Sequence, residues 1–328
     1  METLLQRRPR RLRQTPALRE LVQETFLRPS QLVVPLFVVD GEGEKQPVES
    51  LPGVYRFSID TLTQKVIELY EKGIRAVDLF PVLSSGLKDA KGSEALRPGN
   101  LLTRTLQHLK KEIPEMCLMV DVALDPYTSH GHDGVLDVNG AVDNDRTLEI
   151  LAQKSLLLAE AGADVLAPSD MMDGRVGFIR QALDDHGLQH VSILSYTAKY
   201  ASSLYGPFRD LVGSTPQKGD KKGYQMNPAN AREALTECQL DIEEGADMLL
   251  VKPALHYLDI LARLREETTL PLAAYHVSGE YAMVLAAAEK GWLDADQVLL
   301  EQLISIKRAG ADLIFTYAAE RVLENLQS

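Results

Sequence analysis

Only two cysteines, Cys117 and Cys238, occur in 328 residues, too few for a disulfide framework and more in keeping with a reducing compartment. No run approaches the roughly 18 apolar residues of a membrane span. Basic residues are outnumbered, 35 Lys and Arg against 47 Asp and Glu, and the resulting charge of −12 argues against a general nucleic-acid binder. A G-x-G-x-x-G fingerprint behind the first apolar strand is missing, which weakens a dinucleotide-binding fold. What remains, 45% apolar and 25% charged residues, is enough for a sizeable core. The expectation is a cytoplasmic globular protein with neither a membrane nor a nucleic-acid partner.

The N-terminus departs from this balance. RRPRRLRQTPALR (7–19) holds six arginines and no acid. A transit peptide is Arg-rich and acid-poor, and a basic arm can bind nucleic acid. The plainer reading is an extended arm, residues 1–30, lying on an acidic neighbouring surface. No apolar core of a secretory signal follows it.

A phrase recurs along the rest of the chain, a charged helix end and a glycine followed at once by an apolar strand: YEKGIRAVDLFP (70–81), AEAGADVLAPSD (159–170), IEEGADMLLVKP (242–253) and IKRAGADLIFTYA (306–318). Glycine past a helix end supplies the left-handed cap needed before the turn into a strand. Between these phrases lie four further apolar stretches, LVVPLFVV (32–39), CLMVDVAL (117–124), VSILSY (191–196) and PLAAYHV (271–277). Their continuous hydrophobicity suits strands buried on both faces. Amphipathic spacing between them, as in Leu62, Val66, Leu69 and Tyr70, predicts helices, here with Asp60 as N-cap and Gly73 as the stop. Eight alternating units predict an α/β fold, a (β/α)8 TIM barrel over 31–328 with the N-terminal arm outside it.

Such barrels carry their chemistry where strands end. That rule selects Phe80 and Pro81, Asp121, Ser169 and Asp170, Lys199, Lys252, Ser278 and Tyr317. A lysine at the inner end of a buried strand is costly unless paired or used. Two in one mouth repel each other, and repulsion with desolvation favours a neutral amine able to attack a ketone. Alone, either lysine could equally be a salt-bridge partner. The stretch 204–223 has four glycines and four basic residues against two acids, a reasonable lid over such a mouth. As a solvated loop it would account for Lys218 and Lys222 better than for Arg209 or Lys221.

The segments KGSEA (91–95), DVALDPYTSHGHDG (121–134), APSDMMDGR (167–175), SYTAKYAS (195–202), YGPFRD (205–210), GDKKGYQMNP (219–228), REALTE (232–237), LLVKPALHYLD (249–259), YHVSGEY (275–281) and FTYAA (315–319) resemble the porphobilinogen synthase (δ-aminolevulinate dehydratase) family over nearly the whole chain. The resemblance implies a hydro-lyase of tetrapyrrole (heme or chlorophyll) biosynthesis. It would condense two molecules of 5-aminolevulinate to porphobilinogen with loss of two waters. Lys252 would hold the propionate-side substrate and Lys199 the acetate-side one, each as a Schiff base. Arg209 and Lys221, with Gln225, would meet the acetate-side carboxylate; Ser278 and Tyr317 the propionate-side one. Asp121 matches an active-site acid.

The sequence departs from the zinc-binding pattern DVCLCxYTxHGHCG: the three cysteine positions are Ala123, Asp125 and Asp133. A side chain without a ligand atom and two hard carboxylates do not make a zinc thiolate site, and His130 and His132 read as hydrogen-bonded loop residues. Zinc is therefore not expected. Asp125 and Asp133 could hold Mg²⁺ through water or simply be hydrated. Glu237 matches the family's glutamate for an allosteric Mg²⁺, a metal that is content with one carboxylate and several waters. The family's arm wraps a neighbouring subunit, which implies a homo-octamer. Two other readings compete: a one-lysine class I aldolase, which leaves Lys199 idle, and a non-catalytic barrel binding nucleic acid through its arginines.

Overall fold

The computed structural model describes residues 7–326. Eight parallel strands, β1 (Leu32–Val38), β2 (Ala76–Pro81), β3 (Cys117–Asp121), β4 (Val165–Ala167), β5 (Ser192–Lys199), β6 (Met248–Lys252), β7 (Leu272–His276) and β8 (Leu313–Thr316), pair in chain order. The sheet closes where Leu32 and Val33 of β1 pair with Ile314 and Phe315 of β8. This is the (β/α)8 barrel that the sequence predicts. Among the described residues no helix is long and apolar enough to cross a membrane.

Alternation along each strand divides the core in two. Val33, Ala76, Met119, Val165, Leu194, Leu250, Ala273 and Phe315 fill the barrel interior, while Val34, Val77, Leu118, Leu166, Ile193, Leu249 and Ile314 pack outward against the helices. Further along the inward rows lie the residues that reach the mouth: Asp121 two steps beyond Met119, Lys252 two steps beyond Leu250, and Ser169 four steps beyond Val165, past the end of β4. In β5 the row is broken. Its register against β6 runs Ser195 to Leu249 but Ala198 to Val251, one residue more on β5. This bulge turns Ala198 outward and makes Lys199 the register partner of Lys252.

The four recurring glycines all take positive φ, from 93° at Gly73 to 121° at Gly310, as helix-ending caps should. The helix Ile59–Glu71 starts at Ser58, not Asp60. Asp60 instead accepts hydrogen bonds from Ser58 Oγ and from the Gly43 amide at 2.9 Å, a tertiary contact that outcompetes the cap. A short antiparallel pair, Lys45–Pro47 with Tyr55–Phe57, joins the sheet beside β1 and has no clear signal in the sequence.

The basic segment folds inward over the mouth as a turn (Ser203–Tyr205) and a helix (Gly206–Val212). Arg56 donates twice to the Leu211 carbonyl (3.1 and 2.9 Å), and Lys88 to those of Val212 (3.1 Å) and Gly213 (2.8 Å). Ser278 Oγ accepts from the Phe208 amide at 3.2 Å and donates to the Leu204 carbonyl at 3.3 Å. This close seating depends on Gly279: a Cβ there would stand 2.5 Å from the Leu204 oxygen and 2.8 Å from its Cα. Gly279→Ala should therefore force the 203–205 turn outward and destabilise the fold by about 1–3 kcal/mol. A denaturation midpoint equal to wild type would show that the turn yields freely.

Candidate active site

Lys252 leaves β6 into an aromatic enclosure. Its ammonium lies 4.2 Å from the Tyr275 ring centroid, 5.2 Å from Tyr196 and Phe208, and 5.5 Å from Tyr205. The Tyr205 hydroxyl donates to the Lys252 carbonyl at 3.1 Å, which fixes the lysine backbone from the lid side. Burial first, then repulsion from Lys199, push its amine down to about 7, against a partial pull from Asp121 and Asp78. A substantial share of Lys252 is thus neutral near pH 7.

Lys199 shares the mouth but has different company. It pairs with Asp133 at 3.2 Å and donates to the Ser169 carbonyl. The same Asp133 carboxylate accepts from Lys221 at 2.6 Å, and Lys221 reaches Asp125 at 3.4 Å. Burial alone would raise Asp133, yet Lys199 and Lys221 together hold it below the usual carboxylate range. Asp133 is fully buried and Asp125 nearly so, and lysines rather than open solvent face both carboxylates. The chain keeps two carboxylates in a dry site because two ammoniums neutralise them. His130 and His132 are hydrogen-bonded loop residues, as expected; His132 contacts the Tyr224 hydroxyl at 3.1 Å and the Lys218 carbonyl at 3.0 Å.

Asp121 is buried at the end of β3, with Ser169 Oγ donating to its carboxylate. Burial raises its pKa, with Asp125 adding, while Lys154, Ser169 and Lys199 oppose. Asp121, Lys199, Lys252, Arg209, Lys221 and Gln225 line one chamber with Asp125, Ser169, Tyr205 and Phe208. Arg209 stacks 5.8 Å from the Tyr205 ring centroid. Lys222 stays exposed, as a solvated lysine should.

Ser278 and Tyr317 do not line that chamber. Phe208 stands between: its ring meets Phe80 edge-on at 5.3 Å and Phe37 at 6.1 Å, its amide holds Ser278, and Phe37 in turn stacks on Tyr317 at 6.3 Å. Glu237 is remote from the lysines. It sits half-buried on the helix Glu233–Glu243 and faces a cavity of about 700 Å³ that Asn139, Asn144, Asp173 and Glu233 also line. Burial raises its carboxyl to about 7, Arg175 opposes, and Asp241, Asp173 and Glu233 add to the rise.

Sequence reasoning missed three features. Asp78 is fully buried inside the barrel, and among the described residues neither of its carboxylate oxygens finds a hydrogen-bond partner. Burial and Asp121 raise its pKa well above normal, with Lys252 opposing. The Tyr196 and Tyr275 hydroxyls are likewise buried without a partner there. Lys154, 1% exposed, reaches the end of β3 from the helix Asn144–Glu160. An acid at an inward strand position was the available signal for Asp78; Lys154 gave none, reading as one more charge on a helix.

A family model described as "Delta-aminolevulinic acid dehydratase" matches residues 6–325. The delta-aminolevulinic acid dehydratase of Chlamydia pneumoniae is 53% identical over 98% of this chain and 97% of its own length. The chloroplastic enzyme of Glycine max is 52% identical, covering 96% of this chain and 76% of that protein. Among solved structures, the Toxoplasma gondii enzyme in complex with the reaction product porphobilinogen superposes with a TM-score of 0.96 at 50% identity, covering 98% of this chain and 92% of that one. Set beside the paired lysines of the barrel mouth, these likenesses establish that the chain belongs to the delta-aminolevulinic acid dehydratase family.

Proposed function

We propose that this chain condenses two molecules of 5-aminolevulinate to porphobilinogen with loss of two waters. The observation that carries the reading is the register pairing of Lys199 with Lys252 at the mouth of a parallel barrel, with one of the two amines held near 7. A neutral Lys252 attacks the ketone of the propionate-side substrate, and loss of water gives the imine. Protonated, that imine draws electrons from the adjacent carbon and makes its proton removable. The aromatic faces around Lys252 favour the cationic imine, each by about 0.5–2 kcal/mol. Lys199 holds the acetate-side ketone in the same way, after leaving Asp133 and giving up its proton to water admitted with the substrate. Asp121, with its pKa raised and Ser169 beside it, is suited to move a proton in the mouth.

The substrate carboxylates go to the groups that can receive them: Arg209, Lys221 and Gln225 on the acetate side, Ser278 and Tyr317 on the propionate side. The chamber leaves about 30 Å³ free, the room of one or two waters. Two substrates enter only if the 203–223 segment lifts and carries Phe208 away from Lys252 and Lys221 away from Asp133. A carboxylate arriving at Lys221 takes the place of Asp133, which keeps its contact with Lys199 in the meantime.

Borohydride reduction with substrate should add its mass at Lys252 and, at higher occupancy, at Lys199; an active preparation labelled at neither would sink the mechanism. Acid should suppress the first attack. As pH falls below about 7 the Lys252 amine protonates, so kcat/KM should drop about tenfold per unit. A profile flat down to pH 5.5 would mean that another group limits attack.

The zinc pattern does not fit this chain, since Ala123 offers no ligand atom and Lys221 and Lys199 occupy Asp125 and Asp133. Glu237 fits Mg²⁺: its carboxyl is crowded by other acids and opens on a cavity with room for waters. Bound there, Mg²⁺ would supply charge neutralisation away from the lysines, acting on the populations of conformations. A zinc-selective chelator should leave turnover unchanged, and Glu237→Ala should abolish the response to Mg²⁺. Full Mg²⁺ stimulation of that variant would move the site elsewhere.

The arm reading also finds support. Of residues 1–30 the first six lie outside the described residues. In the rest, the turn Pro9–Arg13 and helix Pro16–Leu21 bury no side chain, and Leu21 and Phe26 are 79% and 58% exposed. Apolar residues left bare beside a cationic run suit an acidic neighbouring subunit, in keeping with the homo-octamer that the family resemblance implies. Deleting residues 1–25 should leave a folded barrel of smaller oligomeric mass by light scattering; an unchanged mass would free the arm for another role.

A further inference from the structure

A lysine with no part in the reaction occupies one of the most costly places in the molecule. Lys154 is 1% exposed, and its ammonium donates to the carbonyls of Asp121 (3.1 Å) and Ala123 (2.8 Å) while lying 4.6 Å from the Tyr127 ring centroid. Among the described residues no carboxylate is within ion-pair distance of it. Burial lowers its pKa to about 8, with Asp121, Asp125 and Asp170 resisting. Packing alone would be served by methionine or leucine at far less desolvation cost.

The two carbonyls explain the expense. They flank Val122, where the backbone leaves β3. Beyond this point the chain carries Asp125, and Leu124 bonds the Asp133 carbonyl at 3.0 Å. A single ammonium bonded to both carbonyls fixes the plane of the backbone at that exit. It thereby fixes the direction in which Asp121 presents its carboxyl to Ser169 and the mouth.

We infer that Lys154 is a positioning residue, an internal cation that clamps the Asp121 and Ala123 carbonyls and so aims the Asp121 carboxyl at the two substrate-binding lysines. The inference rests on the reading of Asp121 as an active-site acid. An error of about 1 Å in such a group can cost on the order of a hundredfold in rate, while substrate affinity, set by other residues, need not change.

The test uses steady-state turnover of 5-aminolevulinate by the full chain. Lys154→Met removes the donors and keeps the volume; kcat should fall roughly ten- to a hundredfold with KM within about threefold. Lys154→Gln keeps two N–H donors without the charge and should recover most of the lost kcat. A lysine needed only for stability would lower the melting temperature of the methionine variant and leave kcat per folded enzyme intact. Should Lys154→Met not fold, Lys154→Ala, which admits water beneath the carbonyls, replaces it with the same expectation. Turnover within about twofold of wild type in the apolar variant, or no recovery by glutamine, would overturn the clamp. Asp121→Asn is measured alongside. If it turns over normally, the reading of Asp121 falls and the inference with it; if it is impaired while Lys154→Met is not, the clamp alone is wrong.

Discussion

The structure depends on keeping charge in a place without water. In and around the mouth lie four lysines, Lys154, Lys199, Lys221 and Lys252, and the carboxyls of Asp78, Asp121, Asp125 and Asp133. Almost every one would be intolerable alone. The pairs Lys199–Asp133 and Lys221–Asp133–Asp125 neutralise one side of the chamber, which leaves Lys252 on the other with aromatic rings and no close counter-ion. Desolvation and the charge on Lys199 then outweigh the pull of Asp121 and Asp78 on Lys252, and its amine comes down to about 7. The ion pairs are accordingly part of what makes one lysine nucleophilic: they spend the available carboxylates on Lys199 and Lys221.

The same arrangement couples entry to chemistry. Arg56, Lys88, Ser278 and Gly279 hold the 203–212 segment down through backbone contacts, and its Phe208 completes the enclosure of Lys252. A substrate carboxylate is the natural wedge, since it can replace Asp133 as the anion beside Lys221. Lifting the segment also parts Phe208 from Ser278, and so opens the way from the lysine chamber toward Ser278 and Tyr317.

Much of this was legible from residues alone. The four helix-glycine-strand phrases and four apolar strands gave the barrel, because buried parallel strands must be continuously apolar and helix ends need glycine. Lys252 was legible for the same reason, as a charge ending an apolar run. The ion pairing of Asp125 and Asp133 was not, because Lys221 comes about 90 residues later in the chain and only the folded lid brings it across. Asp60 failed as a cap because Gly43 and Ser58 compete for its oxygens, a contact invisible to local pattern. Lys154 sat in an amphipathic helix where any charge reads as solvent-facing; only the position of β3 against that helix makes it interior. Ser278 and Tyr317 were marked by their places at strand ends and given a role only by resemblance, and in this conformation they stand behind Phe208.

The bulge in β5 acts on the strand as an inserted letter acts on a reading frame. Up to Ser195 the inward positions follow one parity; after the extra residue they follow the other, and Lys199 is read as interior although the earlier parity would have assigned that place to Ala198. A deletion of one residue between 195 and 198 would restore the uninterrupted alternation and look harmless in composition. With a single residue then facing Leu250, Lys199 would still stand opposite Lys252; what would be lost is the local bend and added twist that a bulge imparts. Position along a barrel strand is therefore a phase: the extra residue changes which parity of β5 faces the mouth, while Lys199 and Lys252 stay opposite each other on either side of the change.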